Sequence, residues 1–232
     1  SMPPRVLVTG GARGIGRAIA LRFAREGATV TVAARSSAQI DAVAKEIDAA
    51  GGRGMAANMN VVDHGSIEAA VWRAVEFMGG AIDVLVNSAG AFQIKPLDKM
   101  RPADFDFVLG TNLVGPFQVV LECLEYLQES EQAHIFNIAS IAAKQPFPGN
   151  VAYCASKYGL RGFSDALRLD LAKDNIRVTT VYPPQVDTHL WDEVEGNFDR
   201  SKMLKPEVVA EAIFRAYQSP TPITDLDIPP AG

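Results

Sequence analysis

The chain has 232 residues, of which 48% are hydrophobic and 21% charged, with a formal net charge of −5. This is long and apolar enough for one α/β domain, residues 1–232, to bury a substantial core, and no linker, repeat or low-complexity stretch divides it. The acidic balance without a basic cluster speaks against nucleic-acid binding, and no apolar run reads as long enough to cross a membrane. Residues 1–4 read as a tag-derived or disordered start, without the apolar core of a signal peptide.

In chain order, the patterning predicts strands at 5–9, 28–33, 54–57, 82–87, 133–139, 176–182 and 223–228. Helices are predicted at 14–26, 37–50, 64–78, 101–127, 151–173 and 206–218. Most of the strand segments are unbroken apolar runs, as in a sheet covered on both faces. Strand-helix alternation with such strands predicts a doubly wound parallel sheet whose ligand lies at the strands' carboxyl ends.

The chemistry-bearing residues fall at those ends. Thr9-Gly10-Gly11-Ala12-Arg13-Gly14-Ile15-Gly16 follows the first strand and opens a helix. A glycine turn at a helix N-terminus is an anion site, because unpaired N–H groups and the helix dipole converge there. Gly16 also reads as a packing glycine. Asn87-Ser88-Ala89-Gly90 ends the fourth strand, Asn112 interrupts the long helical stretch where asparagine is a poor interior residue, and Ser140 ends the fifth strand. From spacing alone, Ser140 reads equally as a cap for the next segment. Tyr153 and Lys157 stand one helical turn apart on one face. An ammonium group there favours the phenolate, lowering the tyrosine's pKa and making it a plausible proton donor to a carbonyl oxygen. The three histidines, His64, His134 and His189, are scattered without ligand spacing, so no metal site is expected. Cys123 and Cys154 are too few for a disulfide framework and suit a reduced, cytoplasmic setting.

Together these motifs resemble the short-chain dehydrogenase/reductase family from residue 5 to about residue 190. The resemblance implies a single Rossmann-type domain and hydride transfer between a nicotinamide and a ketone or aldehyde, such as a 3-oxoacyl thioester or a small carbonyl compound. It assigns Asn112, Ser140, Tyr153 and Lys157 to catalysis. Ser140 would hydrogen-bond the substrate carbonyl, Lys157 would hold the nicotinamide ribose, and Asn112 would kink its helix and hold a water that links Lys157 to solvent. Cofactor contacts are implied for Gly10, Arg13, Gly14, Ile15, Gly16, Arg35, Ser36, Asn60, Val61, Asn87, Ala89 and Gly90. Tyr153, Lys157, Pro183, Val186 and Thr188 complete that set.

Three positions depart from the family pattern. Ser88 stands where asparagine is frequent. Asn60 replaces a common aspartate, yet its amide oxygen can still accept from an adenine amino group. Pro184 replaces glycine in the segment beside the nicotinamide, which should stiffen it.

At the end of the second strand, Arg35, Ser36 and Ser37 stand where an NAD enzyme places an acid, so NADP(H) is the expected cofactor, with Arg13 as a second cation. Residues 189–205 are expected to form a substrate lid around Trp191 and Phe198, with Trp191 as plain core the competing reading. In similar proteins the helices matching 101–127 and 151–173 pair across a symmetry axis, so a homodimer or homotetramer acting on a small carbonyl or alcohol substrate is expected. The alternative function is a non-catalytic NADP(H)-binding sensor or scaffold.

Overall fold

The computed structural model describes residues 2–192 and 194–232; Ser1 and Glu193, the latter inside the expected lid, lie outside the described residues. Seven strands form one parallel sheet: β1 (Arg5–Thr9), β2 (Thr29–Ala34), β3 (Arg53–Asn58), β4 (Val84–Asn87), β5 (His134–Ile138), β6 (Arg177–Tyr182) and β7 (Asp225–Asp227). Their order is β3-β2-β1-β4-β5-β6-β7, so β1 pairs in parallel with both β2 and β4. After β3 the chain crosses back over β1, and the crevice at the carboxyl ends of β1 and β4 is the topological switch point where such sheets bind ligands.

The helices are α1 (Gly14–Ala24), α2 (Ser37–Ala49), α3 (His64–Met78), α4 (Pro102–Leu109), α5 (Gly115–Gln128), α6 (Val151–Leu171) and α7 (Pro206–Gln218). Successive residues of each strand feed opposite cores. Val6, Val8, Val84 and Val86 pack with Ile19, Phe23, Ile213 and Phe214 under α1 and α7. Leu7, Leu85 and Ile135 face Ile67, Val71, Val119 and Leu127 of α3 and α5. Both faces are therefore dry, and the strand sequences read as unbroken apolar runs rather than alternating ones.

The long helix expected at 101–127 is interrupted by a π-helical turn, Gly110–Val114. Here Asn112 turns inward and spends its amide on loop backbone instead of on its own helix, a local side-chain competition that distorts a helical ladder. Among the described residues, five short 3-10 turns also join the elements; four fall where the patterning predicts connections, and Ala172–Asp174 ends the predicted helix 151–173.

Taken as one rod, residues 102–128 are long and apolar enough to cross a membrane, contrary to the sequence expectation. In the fold this rod is a layer helix, with Val108, Val119, Val120, Cys123 and Leu127 buried. Its outer side keeps Val114, Phe117 and Leu121 exposed at helical spacing, and neighbouring α6 exposes Val151, Tyr158 and Leu169. Exposed apolar faces of this kind mark association sites. Light scattering at micromolar concentration is expected to give a dimer or tetramer. Changing both Leu121→Arg and Leu169→Arg should yield a folded monomer, whereas a monomeric wild type would contradict this assignment.

Candidate functional site

The carboxyl ends of β1 and β4 approach so closely that glycine is required. Gly10 has φ of +64°, and a Cβ there would lie 2.6 Å from the Ala89 nitrogen. A Cβ on Gly16 would collide with the Gly10 carbonyl, which bears out its reading as a packing glycine. Thr9 and Ser88 tie the two ends together: Thr9 Oγ1 accepts from the Ser88 and Ala89 N–H groups at 3.2 and 3.3 Å, and Ser88 Oγ donates to the Thr9 carbonyl at 2.5 Å. Ser88 thus makes a specific bond at its departure from the family pattern.

This clamp opens a cleft of about 590 Å³. Gly10, Arg13, Gly14, Ile15 and Gly16 line it around the start of α1, where Arg13 at the N-cap provides no side-chain cap. The first N–H groups of α1 and the backbone of Gly14 (φ +60°), which has no side chain facing Thr188 and His189, form a cradle suited to a diphosphate. Arg35, Ser36, Asn60 and Val61 line the end toward β2 and β3. Ser36 Oγ caps α2 by accepting from Gln39 N–H at 3.4 Å, so a second helix N-terminus opens beside Arg35. Asn60 Oδ1 already accepts from Val62 N–H at 3.2 Å, leaving one lone pair for an adenine amino group. No Asp or Glu among the described residues lines the cleft, and its cations are Arg13, Arg35 and Lys157. These features fit a dinucleotide.

At the other end Ala89, Gly90, Ser140, Tyr153, Lys157, Pro183, Val186 and Thr188 line the same cleft. Ser140 is buried at the end of β5, and its Oγ accepts from Ala142 N–H at 3.1 Å, so the capping role is real. Tyr153 and Lys157 project from α6. Lys157 is buried and donates from Nζ to the Ile138 carbonyl at 2.9 Å.

Burial pushes Tyr153 up to about 12, outweighing the opposing hydrogen bond to Ser140. Burial also draws Lys157 down to about 8. The expected lowering of Tyr153 by Lys157 is thus reversed. The ammonium group is committed to a carbonyl and lies 5.6 Å from the centre of the tyrosine ring, and the apolar surroundings disfavour the phenolate.

Two expected residues do not line the cleft. Asn87 is buried in the sheet, where its amide donates to Asn137 Oδ1 at 2.9 Å. Asn137 in turn donates to Ser164 Oγ at 2.9 Å, so this chain of bonds ties β4 and β5 to α6. Asn112 accepts from Ala91 N–H at 2.7 Å and donates to the Ala91 carbonyl and Ser156 Oγ at 2.9 and 3.0 Å. Ser156 Oγ donates to the Tyr153 carbonyl at 2.7 Å, so Asn112 braces the Ala91 loop against the helix that carries Tyr153.

Several bonds join the segment expected as a lid to itself and to the residues before it. Leu204 bridges Val186 in parallel, and Arg200 binds Asp187, Asp192 and the Thr188 carbonyl at 2.8, 2.7 and 2.9 Å. Trp191 is a wall of the cleft rather than plain core. Phe92 and His189 also line the cleft and were missed from sequence. His189 Nδ1 is buried without a partner among the described residues, 3.6 Å from where a Gly14 Cβ would stand. Away from the cleft, His64, Glu68 and Glu122 of α3 and α5 bring ligand atoms within 4.8 Å of one another, so the histidines are not all without ligand spacing. His64 and Glu68 are one turn apart, which sequence shows; Glu122 joins them only through helix packing.

The doubly wound sheet and the glycine cradle at its switch point define a Rossmann-type nucleotide-binding protein. Residues 4–197 match the sequence model of the short chain dehydrogenase family, and the chain belongs to that family of oxidoreductases. It is 33% identical over 93% of its length, and 91% of the relative's, to sepiapterin reductase of Chlorobaculum tepidum. Among solved structures it resembles a short chain dehydrogenase from Burkholderia cenocepacia in complex with NADP, with TM-score 0.88, 31% identity and coverage of 98% of this chain and 96% of that one. It also resembles 3-ketoacyl-(acyl-carrier-protein) reductase from Brucella melitensis complexed with NADH, with TM-score 0.86, 29% identity and coverage of 96% and 95%.

The clamp sets an expectation for stability. Gly10→Ala should destabilise the fold by about 2–4 kcal/mol, since it adds left-handed strain to a backbone collision. Gly162→Ala, in α6 with no neighbour within 4 Å, should stabilise it by about 0.5–1 kcal/mol. Urea denaturation of both variants checks the pair; equal midpoints would contradict the clamp.

Proposed function

We propose that the protein reduces a ketone or aldehyde with NADP(H), using Tyr153 as general acid. The observation that carries this reading is one cleft, with no carboxylate among its described lining residues, that has Arg13 and Arg35 at one end and Ser140, Tyr153 and Lys157 at the other. Bound in that cleft, the nicotinamide would supply the hydride. Ser140 orients the carbonyl and stabilises negative charge growing on its oxygen. Tyr153, kept protonated by its apolar surroundings, delivers the proton to that oxygen, which is the state that reduction requires. Lys157 holds a ribose hydroxyl and, while charged, stabilises the phenolate left behind. Asn112 acts through Ala91 and Ser156, so it is a positioning residue.

The preference for NADP(H) rests on Arg35 and Arg13, exposed cations at the adenosine end that form no ion pair among the described residues. A 2′-phosphate would meet them, the Ser36 hydroxyl and the N-terminus of α2, whereas an NAD site places a carboxylate there. Charge-assisted contacts of about 1.5–3 kcal/mol each would favour NADPH over NADH by a factor on the order of 10²–10⁴. Reduction is the working direction because cellular NADP is generally held reduced.

Tyr153→Phe should lower kcat by about 10²–10⁴ with cofactor affinity retained, since it deletes only the proton donor. Retention of half the wild-type rate would contradict the assignment. Comparing kcat/KM for NADPH and NADH on one carbonyl compound tests the cofactor, and Arg35→Asp should erode the preference; equal values in the wild type would overturn it. For pH, a lowered lysine pKa means that charge is present below about 8 and lost above it. Reduction is therefore expected to be flat in acid and to decline as pH passes about 8; a rate that climbs through that window would contradict the role of Lys157.

A further inference from the structure

Beyond Tyr153 the cleft is walled by rings. Phe92 meets Tyr153 edge-on, with centroids 4.8 Å apart and planes at 78°. Trp191 continues from Phe92 at 5.2 Å, and Phe198 from Trp191 at 4.7 Å. The row is fixed in place: Trp191 Nε1–H donates to the Val186 carbonyl at 3.1 Å, and the Arg200 bonds hold the segment from which Trp191 and Phe198 project. Apart from Lys157 beside Tyr153 and the imidazole of His189, the other described groups lining this end carry no charge, including Ile94, Phe147 and Leu190, with Asn150 and Gln185 among the few polar ones.

We propose that the substrate is an uncharged, flat, aromatic carbonyl compound whose ring packs along Phe92, Trp191 and Phe198 while its oxygen reaches Tyr153 and Ser140. This rests on the carbonyl-reduction reading and adds the substrate class. Rigid rings offer edge-to-face and offset partners to another ring with little loss of side-chain freedom. Among the described residues the cation at this end, Lys157, already donates to the Ile138 carbonyl, so a carboxylate placed against the rings would lose its water for a shared counter-charge at best, and a polyol would find too few partners for its hydroxyls. The reaction balances as a reduction: a hydride from the nicotinamide adds to the carbonyl carbon, the C=O π bond breaks, and the Tyr153 proton goes to the oxygen. The products are the benzylic-type alcohol and oxidised cofactor.

The test compares kcat/KM with NADPH for 4-methylbenzaldehyde, cyclohexanecarbaldehyde, 4-carboxybenzaldehyde and erythrulose. The aryl aldehyde should lead each of the others by roughly tenfold or more, the scale of a well-made aromatic contact combined with the desolvation difference. In Phe92→Leu and Phe198→Leu, the ratio of aryl to cyclohexyl aldehyde should fall toward unity, a change that mere loss of folded protein cannot produce. Equal turnover of the cyclohexyl or carboxylated compound, or an unchanged ratio in both variants, would overturn the proposal while leaving carbonyl reduction intact. If NADPH binds and no aldehyde is reduced, the reduction reading itself fails, and this inference with it.

Discussion

The close approach of the β1 and β4 ends, with no room for a side chain at Gly10 or Gly16, is the constraint on which the rest of the site depends. It draws the start of α1 down over the switch point, directing the uncapped N–H groups into the cleft. The Thr9 and Ser88 bonds hold the contact without help from hydrophobic packing, because both groups lie at the rim of the sheet where the dry cores end. The next strand over, β5, then brings Ser140 to the same rim, and α6 lays Tyr153 and Lys157 across it.

Desolvation, rather than ion pairing, sets the chemistry at the inner end. Tyr153 and Lys157 are both pushed toward their neutral forms by burial. A neutral phenol is a proton donor waiting for an acceptor. A lysine close to losing its charge is a group that an arriving ligand can readily repolarise. The outer end is the opposite. Arg13 and Arg35 are exposed and solvated there. One cleft therefore joins a wet cationic end to a dry aromatic end.

Much of this was legible in the sequence, because strand ends and glycine turns carry strong local signals. The seven strands fall within two residues of their predicted bounds at almost every edge, and all but two of the expected site residues line the cleft. Asn87 and Asn112 point elsewhere, since sequence places a residue at a strand end or a helix break without saying which way its side chain turns. The direction of the Tyr153 shift was misjudged for a related reason: spacing along α6 reveals the nearby cation, whereas burial arises only on folding, which also packs Phe92 from a distant loop against the ring. The bonds near Trp191 are not legible in sequence either, since only folding brings Arg200 to Asp187 and Asp192. Glu122 reaches His64 by the same kind of long-range packing.

The most direct test of the central claim, that this cleft carries out hydride transfer to a carbonyl carbon, is an isotope transfer. NADPH deuterated at one face of the nicotinamide C4 is incubated with the protein and an aldehyde, and the alcohol is analysed by mass spectrometry and NMR. The account predicts one deuterium on the carbinol carbon from one of the two C4-labelled forms, and none from the other. An alcohol without deuterium from either form, or with label appearing only by exchange with solvent, would contradict it.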